Sequence, residues 1–261
     1  MPYAHLGAFR CHYLDQGSGP VLLLLHGLGS SARDWEKQMQ TFSAHFRVLA
    51  PDLRGFGASS RVGPYSIEQF AADAWGLLDQ LGIERFHLLG YSMGGAVALQ
   101  MVLAQPERVA RLIISNSVPS FRPRSRVHWL MLCYRLVTMA LLGPRVLAKL
   151  SMQHMFPKPE QRKLREINTQ RAARTGRWVY LASLAALTKW SVVDHLSKLT
   201  KPTLVLAAEH DYFSREDIVQ FAHALPCGRL QIFPDTHHGL PQEEPADYNE
   251  AVLDFLTRAR A

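Results

Sequence analysis

Cysteine is scarce: the 261 residues hold three, Cys11, Cys133 and Cys227. An odd and widely scattered set makes neither a disulfide framework nor a metal-binding cluster, so a reducing cytoplasmic setting and no metal are expected. Long apolar runs are missing as well. The strongest, 127–142, falls short of the roughly 20 residues a bilayer span needs, is interrupted by Arg135 and stops at Gly143-Pro144. The opening residues Met1-Pro2-Tyr3-Ala4-His5-Leu6-Gly7 show no charged lead-in followed by an apolar stretch, so a secretory signal is not expected. Acidic residues are depleted in one region: residues 121–180 carry thirteen Lys or Arg against two Asp or Glu, whereas the remainder carries sixteen against twenty. The net charge of +7 is therefore local. Such a surface suits peripheral contact with an anionic membrane surface or acidic substrates, and suits equally a solvated helical face that keeps the protein dissolved. No nucleic-acid recognition motif accompanies it, so nucleic acid is not an expected partner.

What the chain does contain is an alternation of strand-like and helix-like segments from Val21 onward, the pattern of a mostly parallel sheet covered on both faces. Within it, Gly90-Tyr91-Ser92-Met93-Gly94 follows the apolar run Phe86-His87-Leu88-Leu89 and precedes the small, helix-prone stretch Gly95-Ala96-Val97-Ala98-Leu99. That context presents a serine on a sharp strand-to-helix turn, with glycines where the backbone leaves no room for a Cβ atom. The turn lifts the Ser92 hydroxyl out of the sheet and sets the Met93 N–H at a helix N-terminus, where developing negative charge is stabilised. A second glycine-rich loop, His26-Gly27-Leu28-Gly29, leaves the apolar run Val21-Leu22-Leu23-Leu24-Leu25. Its expected role is a backbone N–H donor, that of Leu28, which completes an oxyanion hole with Met93.

With these two loops the chain resembles the α/β-hydrolase family, in its serine-nucleophile, esterase- and lipase-like branch, over nearly its whole length. Pro51-Asp52-Leu53-Arg54-Gly55-Phe56-Gly57-Ala58-Ser59 is similar to the family's D-x-R-G-x-G-x-S segment, and His238-Gly239-Leu240-Pro241-Gln242-Glu243-Glu244-Pro245 to its histidine loop. The resemblance implies a catalytic Ser92, His238 and Asp211. The acid leaves the end of the apolar run Pro202-Thr203-Leu204-Val205-Leu206-Ala207-Ala208, where Glu209 is the competing carboxylate. Some relatives carry the acid after the preceding strand, but here 111–114 runs into Ser115-Asn116-Ser117, without a carboxylate. His238 stands at the family's distance from Pro245. The neighbouring His237 falls where relatives usually have glycine, which puts a second titratable ring beside the base.

Between Pro119 and about His195 the strand signal disappears, and helix-compatible sequence is punctuated at Gly143-Pro144, Pro157-Lys158-Pro159 and Thr175-Gly176. The resemblance implies a helical lid here, inserted after the strand 111–114, so residues 1–117 and 197–261 are expected to form the core domain and 118–196 the lid. Trp129, Met131, Tyr134 and Met139, with Phe121, Phe156, Trp178 and Trp190, are expected to make an apolar ceiling or the lid's own core. His26, Gly27, Trp129, Met131 and Tyr134 are the expected pocket residues.

The implied chemistry is hydrolysis of a small-molecule carboxylic ester with a small to medium apolar acyl or aromatic group, through an acyl-enzyme and with no cofactor. A serine at the elbow argues against haloalkane dehalogenases and epoxide hydrolases of this fold, which place aspartate there. Lactone or thioester hydrolysis, carbon–carbon bond hydrolysis and haloperoxidase-type perhydrolysis use the same three residues and stay open. A non-catalytic ligand receptor on the same scaffold is the reading from another class. Acyl length, stereochemistry and oligomeric state are not legible.

Overall fold

The computed structural model describes residues 2–258. Eight strands, β1 (Tyr3–Leu6), β2 (Phe9–Gln16), β3 (Val21–Leu25), β4 (Arg47–Pro51), β5 (Phe86–Tyr91), β6 (Val109–Ser115), β7 (Thr203–His210) and β8 (Gly228–His237), form one sheet in the order β1-β2-β4-β3-β5-β6-β7-β8. The β1/β2 and β2/β4 pairs are antiparallel and all others parallel. The sequence of β3 shows why the sheet is covered twice. Leu23 and Leu25 belong to one apolar cluster and Leu22 and Leu24 to the other, because successive side chains of a strand point to opposite faces.

Helices α1 (Glu36–Phe42), α2 (Ile67–Gln80) and α3 (Met93–Ala104) follow β3, β4 and β5 in turn. Between β6 and β7 come α4 (Arg126–Val137), α5 (Pro144–Met155), α6 (Arg162–Ala172) and α7 (Arg177–Leu187). The core then continues with α8 (Arg215–Ala224), α9 (Leu240–Glu243) and α10 (Pro245–Thr257). Helices α2 and α3 pack in the first cluster through residues such as Trp75 and Val97, whereas α1 and α10 fill the second with Phe42 and Tyr248.

The helical insert obeys its punctuation. Gly143, at φ 84°, ends the turn that extends α4, and Pro144 opens α5, where a missing N–H leaves no bond unmade. Pro159 begins a short 3-10 turn before α6, and Gly176 caps α7. The two ends of the insert meet at an isolated bridge, Ser120 with Ser191. Part of the basic surplus fastens the insert to the core: Arg171 reaches Asp34 at 3.2 Å and Glu36 at 2.7 Å, and Lys158 reaches Asp235 at 2.8 Å. Among the described residues no helix is long and apolar enough to cross a membrane.

Parallel register decides where the site lies. Leu25 pairs with Gly90, Tyr91 with Ser115, Ser115 with Leu206 and His210 with His237. The loops that leave β3, β5, β6, β7 and β8 therefore emerge side by side at the carboxyl edge of the sheet.

Candidate active site

Ser92 is the N-cap residue of α3 and has φ 52° and ψ −118°, a conformation that a side chain rarely adopts. A serine at a helix N-cap ordinarily turns its hydroxyl onto the first-turn amides, as Ser66, Ser125 and Ser214 do at α2, α4 and α8. Ser92 makes no such bond, and its Oγ stays available. The strained turn is held from both sides: Ser92 N donates to Ser115 O at 2.9 Å, while Ser117 Oγ and Gly95 N donate to Ser92 O at 2.8 and 2.9 Å. The flanking glycines are steric necessities. A Cβ on Gly90 would lie 2.3 Å from Gly94 O, and one on Gly94 would lie 2.2 Å from Leu25 O.

His238, just beyond β8, places Nε2 3.1 Å from Ser92 Oγ and Nδ1 2.6 Å from Asp211 Oδ1. A proton on Nδ1 satisfies the carboxylate and leaves Nε2 to accept from the serine hydroxyl, so the network assigns the tautomer. Asp211 accepts further bonds from Tyr212 N at Oδ1 and from Asn116 Nδ2 at Oδ2, each 2.6 Å long. Burial alone would raise this carboxyl. The adjacent His238 and the bonds from His238, Asn116 and Tyr212 outweigh it and hold Asp211 below the ordinary carboxylate range. The ring of His238 is packed 4.5 Å from Tyr212 and 5.3 Å from Tyr91 between centroids, and Tyr91 Oη donates to the His238 carbonyl at 2.7 Å.

The competing candidates stand outside this relay. His237 donates its N–H to Glu243 Oε2 at 2.6 Å and sets Nδ1 3.2 Å from Glu243 Oε1. Glu209 accepts from Asp235 N at 2.9 Å.

The loop after β3 supplies the remaining piece. Among the described residues the Leu28 and Met93 N–H groups meet no protein acceptor. A Cβ on Gly27 would sit 3.1 Å from the Tyr91 ring and 3.2 Å from Ser92 Cβ, so the loop lies directly against the elbow. His26 fixes its path: Nε2 accepts from Leu53 N at 3.0 Å, which leaves Nδ1 to donate to Gly27 O at 2.8 Å. Both ring nitrogens are thus spent on backbone, and burial pushes the imidazole below its usual range.

A family model described as "alpha/beta hydrolase fold" matches residues 20–245, most of the chain. The chain belongs to the α/β-hydrolase fold family. This α/β hydrolase is 32% identical over 263 residues to a protein of Variovorax paradoxus named "Putative carbamate hydrolase RutD", covering 96% of the chain and 97% of the relative. It is 30% identical over 265 residues to a 2-hydroxy-6-oxononadienedioate/2-hydroxy-6-oxononatrienedioate hydrolase of Comamonas testosteroni, covering 96% and 92%. The crystal structure of the enol-lactonase from Burkholderia xenovorans LB400 superposes with a TM-score of 0.89 at 27% identity, over 98% of this chain and all of that one. The α/β hydrolase is accordingly an enzyme of the hydrolase superfamily.

Above Ser92 and His238 the α/β hydrolase encloses a cavity of about 460 Å³ between the sheet edge and the insert. His26 and Gly27 line it, as does Met131. Trp129 and Tyr134 do not, which corrects the sequence expectation: they are 56% and 50% exposed. Helical spacing explains the difference. The face of α4 turned to the cavity carries His128, Met131, Leu132 and Arg135, at i, i+3, i+4 and i+7, and Trp129 and Tyr134 fall outside it, on its two flanks. Of the other expected ceiling residues, Phe121, Met139 and Phe156 line the cavity. Trp178 is 80% exposed, and Trp190 is buried with its indole N–H on Gln100 Oε1 at 3.1 Å.

Asn116 and Tyr212, which contact Asp211 and His238, carry no recognisable motif, and neither do Tyr180 and Arg135 on the cavity wall. The signal for Asn116 was the absence of a carboxylate at the end of β6, a position that instead holds a donor to one. Arg135 stood out in sequence only as a break in an apolar run. Among the described residues no group of three or more His, Cys, Asp or Glu side chains could hold a metal ion.

Proposed function

We propose that this α/β hydrolase cleaves carboxylic esters, cyclic esters included, with Ser92 as nucleophile, His238 as general base and acid, and Asp211 as the carboxylate that orients it. The observation that carries the reading is the continuous relay from Ser92 Oγ to His238 Nε2, and from His238 Nδ1 to Asp211, on a backbone strained to expose that oxygen. As Oγ attacks the acyl carbon its proton passes to Nε2, and the imidazolium is stabilised by the ionised Asp211. The oxyanion falls to the free N–H groups of Leu28 and Met93. His238 then returns its proton to the leaving oxygen, and water attacks the acyl-enzyme by the reverse route. Similarity to an enol-lactonase along 98% of the chain supports acyl–oxygen cleavage in a ring as well as in an open ester. The largely apolar ceiling suits a carbon chain of modest length.

The test is turnover of p-nitrophenyl esters of increasing acyl length beside the Ser92→Ala variant. The reading expects an initial burst of p-nitrophenolate and a loss of about 10³-fold or more in the variant. Undiminished turnover by Ser92→Ala would refute the nucleophile, and saturable binding without turnover by the wild type would mark a receptor.

A further inference from the structure

We propose that Arg135 selects substrates that carry a carboxylate, so that the preferred ester or lactone is one bearing a free acid group. The inference rests on the reading of Ser92 above and adds its substrate class. Arg135 lines the cavity from α4. Nη1 donates to Tyr180 Oη at 3.2 Å, and Cζ lies 5.1 Å from the centroid of the Tyr212 ring. The same Tyr212 ring packs 4.5 Å from His238, so one aromatic side chain separates the cation from the base. Tyr180 in turn lies against the oxyanion loop, 3.5 Å from where a Gly29 Cβ would be. Two phenol-bearing side chains thus hold Arg135 on the insert side of the reacting centre.

Charge is unbalanced there. Among the described residues no carboxylate comes within 4 Å of Arg135, although Arg171, Arg162 and Arg124 of the same insert each have one. The cavity is lined by two acidic side chains, and both are engaged elsewhere: Asp34 with Arg171 and the Ser30 hydroxyl, Asp217 with Arg124 and the Ser214 hydroxyl. A guanidinium has five N–H donors in a fork that matches a carboxylate, and neutral phenols answer it without a countercharge. The cavity wall of the same helical stretch is otherwise largely apolar, with Met131, Leu132 and Met139, and offers a cation no compensation. A bound carboxylate would supply it with charge-assisted, bidentate bonds, whereas a neutral chain of the same length would desolvate the cation and leave it unpaired.

The experiment compares matched pairs: monoethyl adipate with ethyl hexanoate for a carboxylate on the acyl side, and 4-acetoxybutanoate with butyl acetate for one on the alcohol side, followed by pH-stat. Wild type is expected to favour the anionic member of at least one pair by about tenfold or more in kcat/KM, carried mainly by KM. Arg135→Gln should bring that ratio down toward one, and Arg135→Lys should restore part of it. A ratio near one in wild type, or one unchanged in Arg135→Gln, would overturn the proposal. Binding provides a readout independent of turnover. In the Ser92→Ala background, hexanoate should raise Tm more than hexanamide does, and the difference should vanish when Arg135→Gln is added. Its persistence there counts against Arg135, whereas ester turnover surviving in Ser92→Ala counts against the nucleophile alone.

Discussion

Asn116 Nδ2 donates to Asp211 Oδ2 across 2.6 Å, and so joins the end of β6 to the acid that leaves β7. Asn116 is fully buried and holds a φ of 49°, a region that asparagine tolerates better than most residues. The bond fixes the carboxylate plane so that Oδ1 faces His238. Removing it by Asn116→Ala should lower kcat about tenfold or more with little change in KM, in line with roughly 1.5–3 kcal/mol for a hydrogen bond to a charged group. Steady-state kinetics on a p-nitrophenyl ester checks this, and a KM effect with unaltered kcat would contradict it.

The two adjacent histidines give the next prediction. His238→Ala should reduce kcat by about 10³-fold or more, since the nucleophile loses its proton acceptor. His237→Ala should retain most turnover while lowering Tm, because the buried Glu243 carboxylate would lose its imidazole neighbour. Kinetics together with thermal denaturation of both variants would separate the roles, and a reversed pattern would exchange them.

How much was legible depended on whether a residue's role is fixed by local backbone or by side chains that meet across the fold. Gly90, Ser92 and Gly94 were readable because a sharp turn dictates residue types at fixed offsets in the chain. The breaks at Gly143-Pro144 and Gly176 were readable for the same reason, since proline and glycine punctuate helices locally. The identity of β3 followed from an uninterrupted apolar run that only a doubly covered strand tolerates. Trp129 and Tyr134 were misplaced because apolar character alone does not reveal which side of α4 turns inward, and a helix apolar on most sides gives periodicity little to work with. The cavity face includes Arg135, a half-buried cation that composition would send to solvent. Asn116 reaches Asp211, and the Tyr212 ring reaches His238, through contacts that exist only once β6, β7 and the loop after β8 lie side by side.

Acid sensitivity follows from His26. Burial disfavours its charged form and outweighs the opposing pull of Asp52, the Gly27 carbonyl and Asp34, so the folded protein binds this proton less readily than the unfolded chain does. Below about pH 6.5, the ordinary value for histidine, the unfolded state takes up more protons and stability declines as pH falls. Protonation would also set an N–H of His26 against the N–H of Leu53 and disturb the loop that carries Leu28. His26→Asn, which can still donate to Gly27 O, should have a lower Tm at pH 7.5 and a shallower fall in Tm down to pH 5. The remaining slope would include His87, held down to about 4 by burial and by Arg111 and Arg85. Parallel slopes in wild type and variant would remove His26 from the explanation.

Gly94 and Gly27 test the same elbow from two directions, and their surroundings separate stability from catalysis. A methyl at Gly94 would meet Leu25 O at 2.2 Å and His26 O at 2.7 Å, both backbone atoms at the end of a central strand that cannot retreat without breaking the sheet. Gly94→Ala should therefore destabilise by about 3 kcal/mol or more, the upper part of the range for forced overpacking, and lose activity together with the fold. A methyl at Gly27 would meet the Tyr91 ring at 3.1 Å and Ser92 Cβ at 3.2 Å, contacts relieved by a shift of a few tenths of an ångström. Such a shift is minor for packing but moves Leu28 relative to the nucleophile, and misplacement on that scale is expensive in the transition state. Gly27→Ala should keep Tm within a few degrees of wild type while kcat drops about tenfold. Denaturation and burst kinetics on both variants would decide the matter: equal losses of stability would show that the loop and the elbow are one rigid packing unit, with no separate catalytic demand on Gly27.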